Sequence, residues 1–166
     1  MSGHEMHREQ VVISRSAVQL LLTYLDKGII AAGTTALRTI ESIYWFGRQL
    51  VLHPGEYRNR LFVGQWEPYE NGPDVHPKIA LKTIAGWMDE NNMDEVSGYT
   101  QVIIAPGYRF RIVKGLVTNF HQPQSTLLLL VAAFVGDDFR KIYAHALTND
   151  YRFLSYGDGS LLYRND

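Results

Sequence analysis

Cysteine is absent from this chain of 166 residues. That excludes disulfide frameworks, thiolate zinc sites, Fe–S clusters and Cys nucleophiles together. A dominant charge is also lacking: 16 Lys and Arg against 17 Asp and Glu leave a net charge of −1. A free-standing nucleic-acid module is usually clearly basic, so charge lends such a module no support. Long apolar runs are missing too. The longest covers 127–135, too short to span a bilayer. The polar opening, Met1 to Gln10, has no apolar stretch of the kind a signal peptide carries. What is present is 46% apolar and 20% charged residues, enough to bury a core within one domain. The expectation is a soluble, cytoplasmic, globular domain without a membrane partner.

Periodicity and punctuation supply the elements. Ser14 or Ser16 can cap a helix carrying Val18, Leu21, Leu22 and Leu25, which Gly28 stops. Ile29 to Ala32 reads as a buried parallel strand. Thr34 or Thr35 then caps a long helix with Leu37, Ile40, Ile43, Tyr44 and Leu50. Leu61 to Val63 is a strand candidate, and Pro77 opens a helix through Met88. Residues 102–105 read as a second buried strand, 108–113 as an antiparallel ribbon, and 116–118 as a third strand. Ser125 caps an apolar helix to Phe134, and Asp137 opens another to about Leu147. Residues 152–154 and 161–163 read as short strands. The pattern predicts an α/β domain, a layered, mainly parallel sheet with flanking helices.

Three segments gather polar chemistry where strands meet helices. Gly33-Thr34-Thr35 suits either an ordinary helix cap or an anion cradle, and Arg38, one turn on, can point back to it. A surface pair of Arg38 with Glu41 is the plainer alternative for that arginine. Asn119, Phe120 and His121, followed by Ser125 and Thr126, bring an amide, an imidazole and two hydroxyls to a loop before a helix. Tyr156-Gly157-Asp158-Gly159 is a compact turn whose Asp either caps its own backbone or meets a ligand. His4 and His7 lack a third metal ligand, so no metal site is assigned.

These segments also carry a resemblance. Residues 31–42 (AAGTTALRTIES), 104–110 (IAPGYRF), 115–121 (GLVTNFH) with Ser125-Thr126-Leu127-Leu128, and 151–158 (YRFLSYGD) resemble, in order, signatures of the S-adenosylmethionine:tRNA ribosyltransferase-isomerase family of queuosine biosynthesis. His4-x-Met6-His7-x-Glu9 resembles the segment that precedes the Gly-Thr-Thr motif. The resemblance implies an α/β-barrel-like domain of which this chain matches the C-terminal half, as a fragment or a truncated product. It implies one domain over 1–166 with an insertion at about 48–96, an appendage on the common core that carries Trp66 and Trp87. Gln122, Gln124 and Gly159-Ser160 depart from the family's usual residues and mark a divergent subgroup.

The activity implied is transfer and isomerisation of the ribosyl part of S-adenosylmethionine onto 7-aminomethyl-7-deazaguanine (preQ1) in tRNA. The products are epoxyqueuosine, adenine and methionine. S-adenosylmethionine is then a co-substrate, and preQ1-bearing tRNA the partner of the full-length protein. In that chemistry His121 is the first choice for proton transfer and Asp158 the second. Thr34, Thr35 and Arg38 suit a carboxylate or a phosphate. Tyr156 or Phe120 suits stacking on a purine. Asn119, Ser125, Thr126 and Gly157 complete the substrate-binding set. A non-catalytic RNA- or protein-binding module of the same family is the alternative, with Arg58, Arg60, Arg109, Arg111 and Lys114 as a local basic patch. A generic α/β nucleotide-binding domain is a third reading.

Overall fold

The computed structural model describes residues 6–55, 60–123 and 125–164. Strands β1 (Glu9–Ser14), β2 (Ile29–Ala32), β3 (Leu61–Val63), β4 (Glu95–Thr100), β5 (Val113–Asn119) and β6 (Gly159–Tyr163) form the sheets. Helices α1 (Arg15–Tyr24), α2 (Thr34–Leu52), α3 (Pro77–Glu90), α4 (Thr126–Val135) and α5 (Phe139–Thr148) pack around them. The strands make two separate three-stranded sheets, ordered β1-β4-β3 and β2-β5-β6. In each, one pair is parallel and one antiparallel: β3 with β4 and β2 with β5 run parallel, β1 with β4 and β5 with β6 antiparallel.

The α/β class is as expected, but the single, mainly parallel sheet is not. Residues 102–105 are the clearest difference. They are apolar and largely buried, yet they form no assigned strand. Their polar groups are met irregularly instead. Ile103 N donates to Gln65 O at 3.2 Å, Ala105 N to the Tyr69 hydroxyl at 2.9 Å, and Arg38 Nε to Val102 O at 3.0 Å. An apolar run reports burial, not pairing. Residues 108–112 likewise form no ribbon, and 152–154 are a bend held by Leu154 N on Phe120 O at 2.9 Å. Strand β1 matches no strand expected from the sequence: it begins in the last two residues of the polar opening and runs on to Ser14. It buries only Val11 and Ile13 and exposes their neighbours, so its apolar signal is short.

Three helix starts follow their sequence signals. Ser14 accepts from Ala17 N, His76 from Lys78 N just before Pro77, and Ser125 from Leu128 N. Helix α2 is different. Thr34 and Thr35 are its first residues rather than its cap, and no side chain caps the turn. Gly33, at φ +93°, bends the chain from β2 directly into the helix.

Helix α2 packs against both sheets and against α3. It buries Leu37, Ile43, Tyr44, Phe46 and Leu50, while α3 buries Ala80, Leu81, Ile84, Ala85 and Met88. The stretch expected as an appendage therefore supplies β3 and α3, and Leu61, Val63, Leu81, Ile84 and Met88 join the same core as Leu37 and Tyr44. An amphipathic helix must bury its apolar stripe, and α2 offers the surface. Trp87 sits edge-on to Phe46 of α2, with ring centroids 5.6 Å apart, and Trp66 leans on Tyr69 at 5.8 Å. No helix among the described residues is long and apolar enough to cross a membrane.

Gly47 sets the separation of α2 and α3, because a Cβ there would meet the backbone carbonyl of Ala80. In an exposed helix Gly→Ala stabilises by about 1 kcal/mol. Here the sign is expected to invert: Gly47→Ala should destabilise by about 1–3 kcal/mol, the usual overpacking range, read as a lower urea midpoint. A higher midpoint would show that the two helices do not touch at this position.

Candidate active site at the strand ends

The parallel pair β2 and β5 fixes the site. Ala32 is level with Val117, and Gly33 N donates to Val117 O at 2.8 Å. Gly33-Thr34-Thr35 and Asn119-Phe120-His121 thus leave the sheet from the C-terminal ends of neighbouring strands, where α/β proteins bind ligands. β6 arrives on the other side of β5, with Gly159 opposite Asn119. Asn119 Nδ2 donates to Gly157 O at 3.3 Å and reaches Asp158 O at 3.5 Å. Three segments distant in sequence therefore meet at one sheet edge.

His121 is half-buried beside that edge. Its Nε2 and the Thr118 hydroxyl lie 2.9 Å apart, and its backbone N–H donates to the Tyr143 hydroxyl at 3.1 Å. Burial pushes its pKa below the ordinary histidine value, so the neutral imidazole prevails at neutral pH. Phe120 points inward, 5% exposed, against Tyr143, Tyr151 and Phe153 at centroid distances of 5.6, 5.4 and 5.6 Å. Buried among these rings, it is not open to stack on a purine. Tyr156 is 97% exposed and remains free to stack. Ser125 is committed to capping α4, accepting from Leu128 N and donating to Gln122 O. Thr126 opens the same helix, half-buried.

Asp158 turns back on its own loop. Its Oδ2 accepts Arg152 N at 2.7 Å and its Oδ1 lies 3.6 Å from the Arg152 guanidinium. The backbone hydrogen bond from Arg152, together with that guanidinium, holds its carboxyl below the ordinary aspartate value. This is the backbone-capping role of an Asp in a Gly-rich turn, with Gly157 N closing the turn on Leu154 O.

Arg38 and Glu41 do not pair with each other. Arg38 is buried under the other sheet, its Nη1 2.5 Å from Glu9 Oε1 and its Nε on Val102 O. No hydrogen bond or ion pair among the described residues joins it to the His121 loop. Burial lowers its pKa, and Glu9 opposes that shift. Glu41 is fully buried. Its Oε1 accepts the backbone N–H of Ile112 and of Val113, each at 2.9 Å. Its Oε2 accepts Arg111 N at 2.8 Å and the Tyr108 hydroxyl at 2.9 Å. Desolvation raises its pKa against these four bonds. Glu41, read from the sequence only as a surface partner for Arg38, and Tyr143, not singled out there, are the supporting residues. A charged residue inside a helix stripe was the available signal for the first, and the aromatic period of α5 for the second. Among the described residues no three His, Asp or Glu gather to hold a metal ion. His4, Arg58 and Gln124 lie outside the described residues.

The profile of a family described as queuosine biosynthesis protein matches residues 1–162. The chain is 36% identical over 169 aligned residues to the S-adenosylmethionine:tRNA ribosyltransferase-isomerase of Azoarcus sp. (strain BH72), covering 100% of this chain and 36% of the relative. It is 39% identical over 166 residues to the protein of that name from Mesorhizobium japonicum, covering 98% and 34%. A crystal structure of S-adenosylmethionine tRNA ribosyltransferase from Thermotoga maritima superposes with a TM-score of 0.58 at 30% identity, covering 92% of this chain and 39% of that one. The chain thus spans about a third of the length of the curated relatives it matches.

Removing the Glu41 carboxylate would leave three backbone donors and one hydroxyl in a dry site. At about 1–3 kcal/mol for each unsatisfied group, Glu41→Ala is expected to lose at least ~3 kcal/mol in urea unfolding. The raised pKa has its own signature. Folding favours the protonated carboxyl, so this contribution is full below the ordinary carboxylate range and is lost as pH rises through the higher folded value. Glu41→Gln should abolish that slope in a pH series of unfolding midpoints. An unchanged slope would assign it to another group.

Proposed function

The chain belongs to the queuosine biosynthesis protein family, and from that premise we propose that it supplies one wall of an S-adenosylmethionine:tRNA ribosyltransferase-isomerase site. The observation that carries this reading is the junction of Gly33-Thr34 with Asn119-His121 at adjacent strand ends, held by Gly33 N on Val117 O. The reaction needs a base for the proton on ribose C5′, which the adjacent sulfonium acidifies. Adenine then leaves, and the aminomethyl nitrogen of preQ1 in tRNA attacks the sugar. Epoxyqueuosine, adenine and methionine are the products.

His121 is the proton-transfer group in this proposal. Its Nε2 is engaged with Thr118 Oγ1, so exchange with substrate runs through Nδ1. Its lowered pKa keeps the base form available at neutral pH. Asp158, hydrogen-bonded within its loop and of lowered pKa, is the weaker base and positions Asn119 through its backbone. Thr34 and Thr35 offer hydroxyls beside the uncapped first turn of α2, where a methionine carboxylate or a phosphate is stabilised. Tyr156 offers its exposed ring to a purine. Thr126 and Gly157 border the same edge. Arg38 acts as a positioning group, tying α2 to residues 9 and 102. Residues about 48–96 form the insertion of a divergent subgroup that has been absorbed into the core.

Adenine release from S-adenosylmethionine with preQ1-containing tRNA tests the reading, in a polypeptide of the relatives' length that carries this segment. His121→Ala should lower kcat by about 10²–10⁴-fold, the range of a general base, and leave S-adenosylmethionine affinity nearly unchanged. In that longer polypeptide the acid limb of kcat/KM should lie below the ordinary histidine range, because base activity is lost only as pH falls through the lowered pKa. Unchanged turnover would remove His121 and promote Asp158. The 166-residue chain alone should release no adenine, since transition-state stabilisation needs every wall of a site.

A further inference from the structure

We propose that Thr118 is a positioning residue for His121: its hydroxyl accepts the Nε2 hydrogen and so keeps the neutral ring in the tautomer whose Nδ1 is free. The proposal rests on the reading of His121 as the proton-transfer group and adds how its working nitrogen is chosen. A neutral imidazole carries one hydrogen, and the partner of one nitrogen decides the state of the other. His121 Nε2 and Thr118 Oγ1 lie 2.9 Å apart, while Nδ1 has no hydrogen-bond partner among the described residues. The sharing can run two ways. If Thr118 donated, the imidazole hydrogen would sit on Nδ1 and the base would be silenced there. If Thr118 accepts, Nδ1 keeps its lone pair. Only the second arrangement outlasts proton transfer. Once Nδ1 has taken the ribose C5′ proton, leaving the electron pair on the carbon beside the sulfonium, both nitrogens carry hydrogen and Nε2 can only donate. The contact that held the neutral ring then holds the imidazolium, and no hydroxyl has to turn while the proton moves.

The hydroxyl is placed to hold still. Thr118 is 7% exposed and lies in the central strand of its sheet. It faces Ser160 of β6 in the ladder, and its neighbour Val117 faces Ala32 of β2. Ser160 Oγ donates to Thr118 O at 3.1 Å. Ser160 is one of the positions that depart from the family's usual residues, so part of this bracing is the chain's own. Branching at Cβ restricts χ1 of Thr118. The backbone of His121 is fixed separately, its N–H donating to the Tyr143 hydroxyl at 3.1 Å. A ring tied at its backbone and at Nε2 has little freedom to swing, and Nδ1 is the nitrogen left for a partner from outside. A threonine that merely filled its strand position could be exchanged for valine with no change in the imidazole.

The test is long-range proton–nitrogen correlation NMR of the 166-residue chain carrying nitrogen-15 histidine. It is run at neutral to mildly alkaline pH, where the lowered pKa keeps the ring neutral. The His121 signals are identified by their loss in His121→Gln. The unaltered chain should show the Nε2–H tautomer alone. Thr118→Val, which keeps the branched shape, should show a mixture of both tautomers, and Thr118→Ser, which keeps the hydroxyl, should restore the single form. In a polypeptide of the relatives' length, Thr118→Val should lower kcat by about tenfold, the effect of one orienting hydrogen bond, with KM for S-adenosylmethionine nearly unchanged. Thr118→Ser should recover most of that loss. The Nδ1–H form or a mixture in the unaltered chain, or the Nε2–H form alone in Thr118→Val, would overturn the proposal. If Thr118→Val does not fold, the tautomer of the unaltered chain and of Thr118→Ser decides. The tautomer is read without turnover, so the two readings fail separately: a wrong tautomer together with turnover lost in His121→Ala removes the role of Thr118 and keeps that of His121.

Discussion

The Glu41 carboxylate is the constraint on which the candidate site rests. It stands inside α2, out of water, and takes the N–H groups of three successive residues that lead into β5, together with the Tyr108 hydroxyl. Tyr108 in turn receives the Trp45 indole N–H at 2.8 Å. A buried charge is costly unless its lone pairs are filled, and here both oxygens are engaged twice. The network pins the start of β5 to the middle of α2, while the first turn of α2 lies at the end of β5. The strand that ends at the His121 loop is therefore registered against the helix at both extremities, and the sheet edge inherits its geometry from a group at the opposite end.

The loop itself is held by aromatic packing. Phe120 occupies the centre of a cluster with Tyr143, Tyr151 and Phe153, and Tyr143 lends its hydroxyl to His121 N. Edge-on rings of this kind add specific geometry to simple burial. α5 and the 151–158 loop thereby hold the backbone of the His121 loop, through Tyr143 on His121 N and Leu154 N on Phe120 O. Arg152 is instead used by Asp158, which rigidifies the turn behind Asn119.

What could be read beforehand was local. The caps at Ser14 and Ser125, Pro77 as a helix opener and the apolar period of α2 act within one turn, so the chain displays them. Gly33-Thr34 and Asn119-His121 do meet, because both leave short buried strands of parallel type, but Arg38, expected at the same edge, is held by Glu9 and Val102 instead. Pairing partners did not follow. β1 alternates over too few residues to stand out from a polar opening, and 102–105 look like a strand because burial and laddering share one composition. Arg38 and Glu41, three apart on one helix, invited a pair. Their true partners, Glu9 and residues 108–113, lie far along the chain and are invisible to spacing. Phe120 reads as a stacking residue in a polar loop until its neighbours in space are known.

The central position of β4 and β5 in their sheets has a kinetic consequence. Among the described residues β1 and β3 each pair with β4 alone, and β2 with β5 alone. Within this segment β1, β2 and β3 therefore precede their partners in the chain, and none of these ladders can form until residue 95 has been passed. Every loop that closes is long, which slows the search and leaves strand edges open while it lasts. Helices α1 and α2 close their hydrogen bonds locally, and α2, rich in its own apolar surface, is the natural platform on which the late strands condense.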